Sequence, residues 1–328
     1  MRLTRAAARK ANSHKIPNEI LTEMFSHMAR PDLARICRTT KKYRAVAIPL
    51  LYRRVADMNA LELESWVDTM MVNSELSPYV WYFQPHSTGG LSQKAAMQLP
   101  TVLAGLPNLR ILNVVGDLCQ LSEALYNARF KQLHTIECTA MQSNSTCLAM
   151  FLNRQEALRT LRMASSSRNP GPFEVKIELP KLTNYRGESM FIPNLHDSTV
   201  CRLTTVRLWA WSFDIEWDPL METFGRFGAL RDLTADVWRV KASAALEAIA
   251  KRLPSIERIK IIAKGPKKFD VRPEIGLAEL PHVLCLFQGL NFLSFESFPP
   301  DEFDIHKTVI AWGESCPTLG QICIGAFF

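Results

Sequence analysis

Arg162, Arg186 and Arg207 each sit between two residues of the same kind of run: Leu161-Arg162-Met163, Tyr185-Arg186-Gly187 and Val206-Arg207-Leu208. If each run is a strand, its side chains alternate between faces, and the three guanidiniums share one face. Strands lie about 4.8 Å apart, and like charges directly opposite each other are unfavourable. One way to offset them is a bound anion. Guanidinium clusters grip carboxylates and phosphates in bidentate fashion, which points to an acidic or phosphorylated segment of another protein. The other way is local neutralisation by Glu137, Glu188, Asp232 and Asp236, which is common on a solvated sheet. The same column runs through Asn113, Glu137, Thr234, Lys260 and Ser294; the next holds Trp209, Asp236 and Ile262, with Trp211 and Trp238 near the strand ends. Exposed Trp beside Arg is hot-spot material, although a Trp on an apolar rim equally packs under a loop. The candidate target-binding set is Arg162, Arg186, Arg207, Trp209, Asp236 and Lys260.

Other chemistry is absent from the sequence. There is no phosphate-binding glycine loop, no H-E-x-x-H and no nucleophile elbow. The eight Cys form no C-x-x-C and have no zinc-ligand spacing, so they are expected to be buried reduced thiols. The seven His are isolated. The reading is a non-catalytic chain with no cofactor and no metal.

The elements that would position the arginines repeat. The run apolar-x-x-apolar-x-apolar starts at Leu109, Leu133, Leu158, Leu182, Leu203, Leu230, Ile256, Leu290 and Leu319, at intervals of 21 to 34 residues, with a weaker instance starting at Tyr79 and continuing through Tyr82. Each unit predicts a short parallel strand. Amphipathic stretches at 61–73, 118–127 and 242–253 predict returning helices, and Leu-Pro or Cys-Pro before several strands ends them. No unit can bury its apolar face alone, so stacking makes the core. The pattern resembles an irregular leucine-rich repeat. That resemblance implies an α/β solenoid, a horseshoe with parallel strands on its concave face, over residues 57–328 in about ten units. Residues 264–276 read as a rim loop. The last unit ends at Phe327-Phe328 without a polar cap, so either a loop covers it or the chain continues in a longer protein.

Ahead of the repeats, residues 16–56 predict three short helices. Ile20, Leu21, Met24, Phe25 and Met28 recur at helical spacing. Pro17 suits the first turn, and Arg30-Pro31 stops the helix. Asp32 is placed to cap or charge a second helix carrying Leu33, Ile36 and Cys37. A third opens near Thr39 or Thr40, carries Tyr43, Val46 and Ala47, and is expected to end at Pro49. So small a piece needs further apolar contact, from a partner or from the rest of the chain.

The order of these residues, closing on Ala47-Ile48-Pro49-Leu50-Leu51-Tyr52, resembles an F-box. Tyr43 stands where the family often has Trp, and Thr39-Thr40 replaces the more usual Val-Ser or Val-Cys. The resemblance implies a Skp-type adaptor partner and, through it, a cullin. It assigns adaptor contact to Pro17, Ile20, Leu21, Met24, Phe25, Leu33 and Ile36; the competing reading packs these residues against the repeats. Together the two resemblances imply an intracellular substrate receptor, cytoplasmic or nuclear, monomeric before assembly.

Charge bounds the alternatives. Residues 1–60 carry 13 Lys/Arg against 4 Asp/Glu, whereas the whole chain is only +7. Residues 1–15 read as a basic flexible arm whose Arg2, Arg5, Arg9, Lys10 and Lys15 could meet phosphates or act as a nuclear import signal. They lack the aromatic interleaving of a single-strand platform, so nucleic acid is the weaker partner class. A ligase-free repeat scaffold is the other alternative. No stretch has the roughly 20 apolar residues of a membrane helix, and residues 1–15 have no apolar core of a secretory signal.

Overall fold

From β3 (Ile111–Val114) onward the strands form where the apolar rhythm places them, because a strand buried on one face needs an apolar residue at every second position. The computed structural model describes residues 16–85, 90–114, 128–140, 145–165, 173–212, 222–238, 242–263, 279–296 and 305–325. The basic arm, the stretch 118–127, the loop 264–276, the residues Phe327-Phe328 and the side chains of Trp211 and Trp238 lie outside the described set. Among the described residues no helix is long and apolar enough to cross a membrane. The chain divides into two units, one of residues 1–116 with 130–133, the other of residues 117–129 with 134–328.

The first unit opens with α1 (Asn18–Ser26), α2 (Arg30–Ile36) and α3 (Lys41–Arg53). Then come β1 (Arg54–Ala56), α4 (Ala60–Val72), a 3-10 stretch (Ser74–Tyr79), β2 (Tyr82–Gln84), α5 (Gln93–Ala104) and β3 (Ile111–Val114). The strands are parallel, with Val55 beside Phe83 and Phe83 beside Leu112. Thr40 caps α3, its hydroxyl accepting from the Tyr43 N–H at 3.1 Å. Asn59 and Glu62 close a reciprocal capping box on α4, 3.0 Å in each direction.

Asp32 charges the first turn of α2 rather than capping it: Ala29 is the N-cap, and Asp32 pairs with Arg35 one turn on at 3.0 Å. Three expectations are corrected in this unit. Pro49 does not end α3, which runs on to Arg53. A Pro in the ninth position of a helix removes one N–H, and the burial of Val46 and Ala47 beneath it holds the remaining turn. The weak unit is shifted by one residue. Val80 and Phe83 are fully buried while Tyr79 is 37% exposed, so the inward run starts at Val80 and not at Tyr79. Last, β1 follows α3 without a break, so residues 54–56 are a strand paired to β2 and not the tail of the helical segment.

The second unit contains β4 (Thr135–Ala140), α6 (Ser145–Asn153), β5 (Thr160–Ser165), β6 (Asn184–Glu188), a 3-10 stretch (Ser189–Asn194), α7 (Asp197–Val200) and β7 (Thr205–Ser212). It continues with β8 (Asp232–Trp238), α8 (Ala242–Arg252), β9 (Arg258–Ala263), α9 (Leu280–Leu284), β10 (Phe292–Glu296), α10 (Ile305–Ser315) and β11 (Gln321–Gly325). The eight strands pair in sequence order, all parallel. Ile136, Leu161, Tyr185, Val206, Leu233, Ile259 and Leu293 stack across the sheet, none more than 1% exposed. Each is worth about 1.5–3 kcal/mol when fully buried, and each depends on its neighbours. Gln155 is one of several buried polar side chains: fully buried, its amide donates to the carbonyls of Ala128 and Phe151 at 3.0 Å each.

Among the described residues the cysteines form no disulfide, and not all are buried. Cys138 and Cys316 are buried; Cys201 and Cys285 close short helices and are exposed. Burial pushes the Cys138 thiol up to about 12. Since the thiolate is the reactive form, an aromatic disulfide reagent at pH 8 should label Cys201 and Cys285 in the native chain. Cys138 should react only after unfolding; native labelling of Cys138 would contradict its burial.

Candidate functional site

Two surfaces carry the residues singled out by the sequence, one in each unit. The first is built on α1–α3. Leu21, Phe25, Leu33, Val46 and Ala47 form a small core, closed at its edges by Ile16, Ile36, Cys37, Tyr43, Leu50 and Leu51. The Tyr43 ring meets Phe25 edge-on, centroids 5.7 Å apart at 90°, so Tyr serves as the aromatic lid. The Lys42 ammonium donates to the Ile16 carbonyl at 2.6 Å and ties the start of α1 to α3.

This core divides the seven residues assigned to adaptor contact. Leu21, Phe25 and Leu33 are 2%, 4% and 6% exposed and point into the chain's own core. Ile36 is half-buried against them. They hold the helices together rather than present themselves to a partner. Pro17, Ile20 and Met24 are exposed. Ile20 and Met24 are 53% and 50% exposed, and their four-residue spacing lines them along one face of α1. Met28, 37% exposed, was expected to continue that spacing but follows the end of α1 at Ser26.

The second surface is the outer face of β4–β10. The register places Glu137, Arg162, Arg186, Arg207, Thr234, Lys260 and Ser294 side by side, one per strand. Neutralisation is uneven along it. Glu137 pairs with Arg162 at 2.8 Å, and Glu296 pairs with Lys260. Asp232 lies 3.6 Å from Arg258, its partner in the neighbouring strand, and within the field of Lys260. The Glu188 carboxylate accepts the Ser165 N–H at 2.7 Å. Burial pushes the Glu188 carboxyl up against the pull of that hydrogen bond, and burial does the same to Asp232 against Arg258 and Lys260. Arg186 is exposed and Arg207 half-buried, and among the described residues neither is in an ion pair. The Nε atoms of Arg162 and Arg207 are buried without a hydrogen bond.

Trp209 lies beneath the Arg162 guanidinium, 4.6 Å from ring centre to guanidinium carbon. It is paired laterally with Glu188, and the register of β7 against β8 shifts between Leu208 and Trp211, so a bulge takes Trp209 out of the row of Asp236. Asp236 is only 5% exposed, which removes it from the open part of the face. The structure therefore gathers Arg162, Arg186, Arg207 and Trp209, leaves Lys260 two strands beyond Arg207 with its own carboxylate, and sets Asp236 apart. Among the described residues no group of His, Cys, Asp and Glu could hold a metal ion.

A three-helix segment with an F-box-like order of residues, followed by parallel strand-and-helix repeats, defines an α/β leucine-rich-repeat protein that resembles F-box proteins of the repeat-bearing kind. The comparisons with known proteins agree. The F-box protein DAS1 of Saccharomyces cerevisiae is 42% identical over 41 residues, 12% of this chain and 6% of that protein's length. The leucine-rich-repeat-containing protein LegL7 from Legionella pneumophila superposes with a TM-score of 0.50 over 83% of each chain at 13% identity, a likeness of fold alone. The Rad7 and Elc1 complex in yeast aligns over 97% of this chain and 90% of that one, at 11% identity and a TM-score of 0.37, too low to bear on either fold or function. No family model matches the chain.

Proposed function

We propose that the chain is the substrate-recognition subunit of an SCF-type cullin-RING ubiquitin ligase, in which α1–α3 dock a Skp-type adaptor and the repeats hold a target protein. The observation that carries this is the exposed pair Ile20 and Met24 on a helix whose neighbouring face, Leu21 and Phe25, is already filled. An apolar stripe left over on a packed amphipathic helix is the helix-in-groove kind of ligand. The chain is then a non-catalytic member of the assembly, working by proximity in the cytoplasm or nucleus. The test is co-purification of the full chain with a Skp-type adaptor. A stoichiometric complex is expected; no complex with the unmutated chain sinks the ligase role.

The target reading rests on Arg186 and Arg207, whose charges no described carboxylate offsets. An acidic or phosphorylated segment laid across β5–β7 supplies that offset. Arg186→Glu/Arg207→Glu should then remove target capture while the adaptor complex persists. Retention of the target by this variant would place it elsewhere on the chain.

A further inference from the structure

The junction of α3 and β1 brings a second set of arginines together, in the first unit. Arg53 and Arg54 lead into β1, Trp81 and Tyr82 into β2, and Arg110 into β3. The backbone fixes them side by side: the Trp81 N–H donates to the Arg53 carbonyl at 3.0 Å, and the Arg110 N–H to the Trp81 carbonyl at 2.8 Å. Arg54 and Tyr82 are direct partners in the ladder. The guanidinium carbons of Arg53 and Arg110 each lie 4.2 Å from the Trp81 ring centre. Both guanidiniums therefore stack on the one indole. Arg54 lies 4.6 Å over Tyr82.

All three arginines are exposed, and among the described residues none meets a carboxylate. Among the described residues the acid on these strands and their flanks is Asp57, beyond the opposite end of β1. Stacking holds each guanidinium flat against a ring and fixes its orientation before any ligand arrives, while its N–H edge stays open. Three fixed, unneutralised forks at neighbouring strand ends suit planar anions taken edge-on. They suit stacked bases less well, because guanidiniums already lie over the Trp81 and Tyr82 rings.

We propose that the starts of β1–β3 form a docking site for an acidic, carboxylate-rich segment of a partner protein, gripped by Arg53, Arg54 and Arg110. The site lies at the end of α3, so an acidic stretch in whatever protein the α1–α3 helices engage can reach it. The proposal does not depend on that engagement.

The experiment titrates the full chain with a fluorescein-labelled deca-glutamate peptide at low salt, beside a labelled ten-residue oligothymidylate. Arg53→Gln/Arg110→Gln should weaken peptide binding at least about tenfold. Arg53→Lys/Arg110→Lys, which keeps the charge but loses the fork, should weaken it by about threefold. Arg54→Gln, on the neighbouring ring, should weaken it by about threefold also, and keeps the test open if the double variant loses its fold. Unchanged peptide binding in folded variants overturns the proposal and assigns the peptide to the Arg186 face or the basic arm. Loss of oligothymidylate binding in place of peptide binding overturns it in favour of nucleic acid.

Discussion

Ile20→Asp/Met24→Asp is expected to abolish capture by a Skp-type adaptor, by about 100-fold or more in affinity, while the thermal unfolding of the full chain moves by no more than about 2 °C. Both side chains are half exposed in the free chain, so their loss removes nothing from the core. In a complex they would be buried, each worth about 1.5–3 kcal/mol, and the two new carboxylates would have to be desolvated against an apolar groove. Together these exceed the roughly 2.8 kcal/mol that separates 100-fold in affinity. The informative comparison is Leu21→Asp/Phe25→Asp, one position further along the same helix. Those residues are 2% and 4% exposed inside the three-helix core, with Tyr43 edge-on to Phe25. Truncating a buried Phe costs about 3–5 kcal/mol, and a buried carboxylate costs more. That pair should lose the adaptor because α1–α3 melt, visible as lost helicity in circular dichroism. Equal binding by the Ile20/Met24 variant and the unmutated chain would remove the stripe from the interface and leave the helices as part of the first unit's own packing.

The same helix shows how far the sequence could be read. Ile20, Leu21, Met24 and Phe25 carry two apolar stripes at once, 20/24 and 21/25. Helical spacing reveals both but ranks neither, since the choice is made by α2 and α3, which offer Leu33, Val46 and Ala47 to the second stripe. The repeats were legible because a Leu rhythm has one phase. It fails where apolar residues run together: in Tyr79-Val80-Trp81-Tyr82-Phe83 either phase fits, and Val55 and Leu112 on the flanking strands select Val80 and Phe83. β1 escaped notice because three residues following a helix hold no rhythm at all.

The arginine column shows the reverse balance. Its register was readable from the spacing, and the pairing of Arg162 with Arg186 and Arg207 follows it strand by strand. Its neutralisation was not readable. Glu296, which pairs with Lys260, lies 36 residues away along the chain and meets it only because β9 and β10 are neighbours. The bulge at Leu208–Trp211 that moves Trp209 out of the row of Asp236 has no glycine to announce it.

Gly187→Ala is expected to destabilise the second unit by about 2–4 kcal/mol, read as a lower denaturant midpoint. Gly187 holds the inward position that its neighbours fill with Met163 and Leu208. A Cβ there would lie 2.1 Å from the Met163 carbonyl oxygen and 3.0 Å from the Tyr185 hydroxyl. The first obstacle is backbone of a paired strand, and it cannot swing aside as a side chain would. The space a larger residue would have filled is taken by Tyr185, fully buried, whose hydroxyl donates to the Glu188 carbonyl at 2.8 Å. Tyr185→Phe alone should cost about 1 kcal/mol, the worth of that hydrogen bond. It leaves the Met163 carbonyl in place, so Gly187→Ala/Tyr185→Phe should show the two losses added, with no rescue. A rescue would mean that the tyrosine, and not the adjoining strand, excludes a side chain at 187. Repeats transmit strain only to their neighbours, and the neighbours of β6 are β5 and β7, which carry Arg162 and Arg207. Gly187→Ala should therefore weaken target capture on that face at temperatures where α1–α3 still bind the adaptor; loss of both together would show that the two units unfold as one.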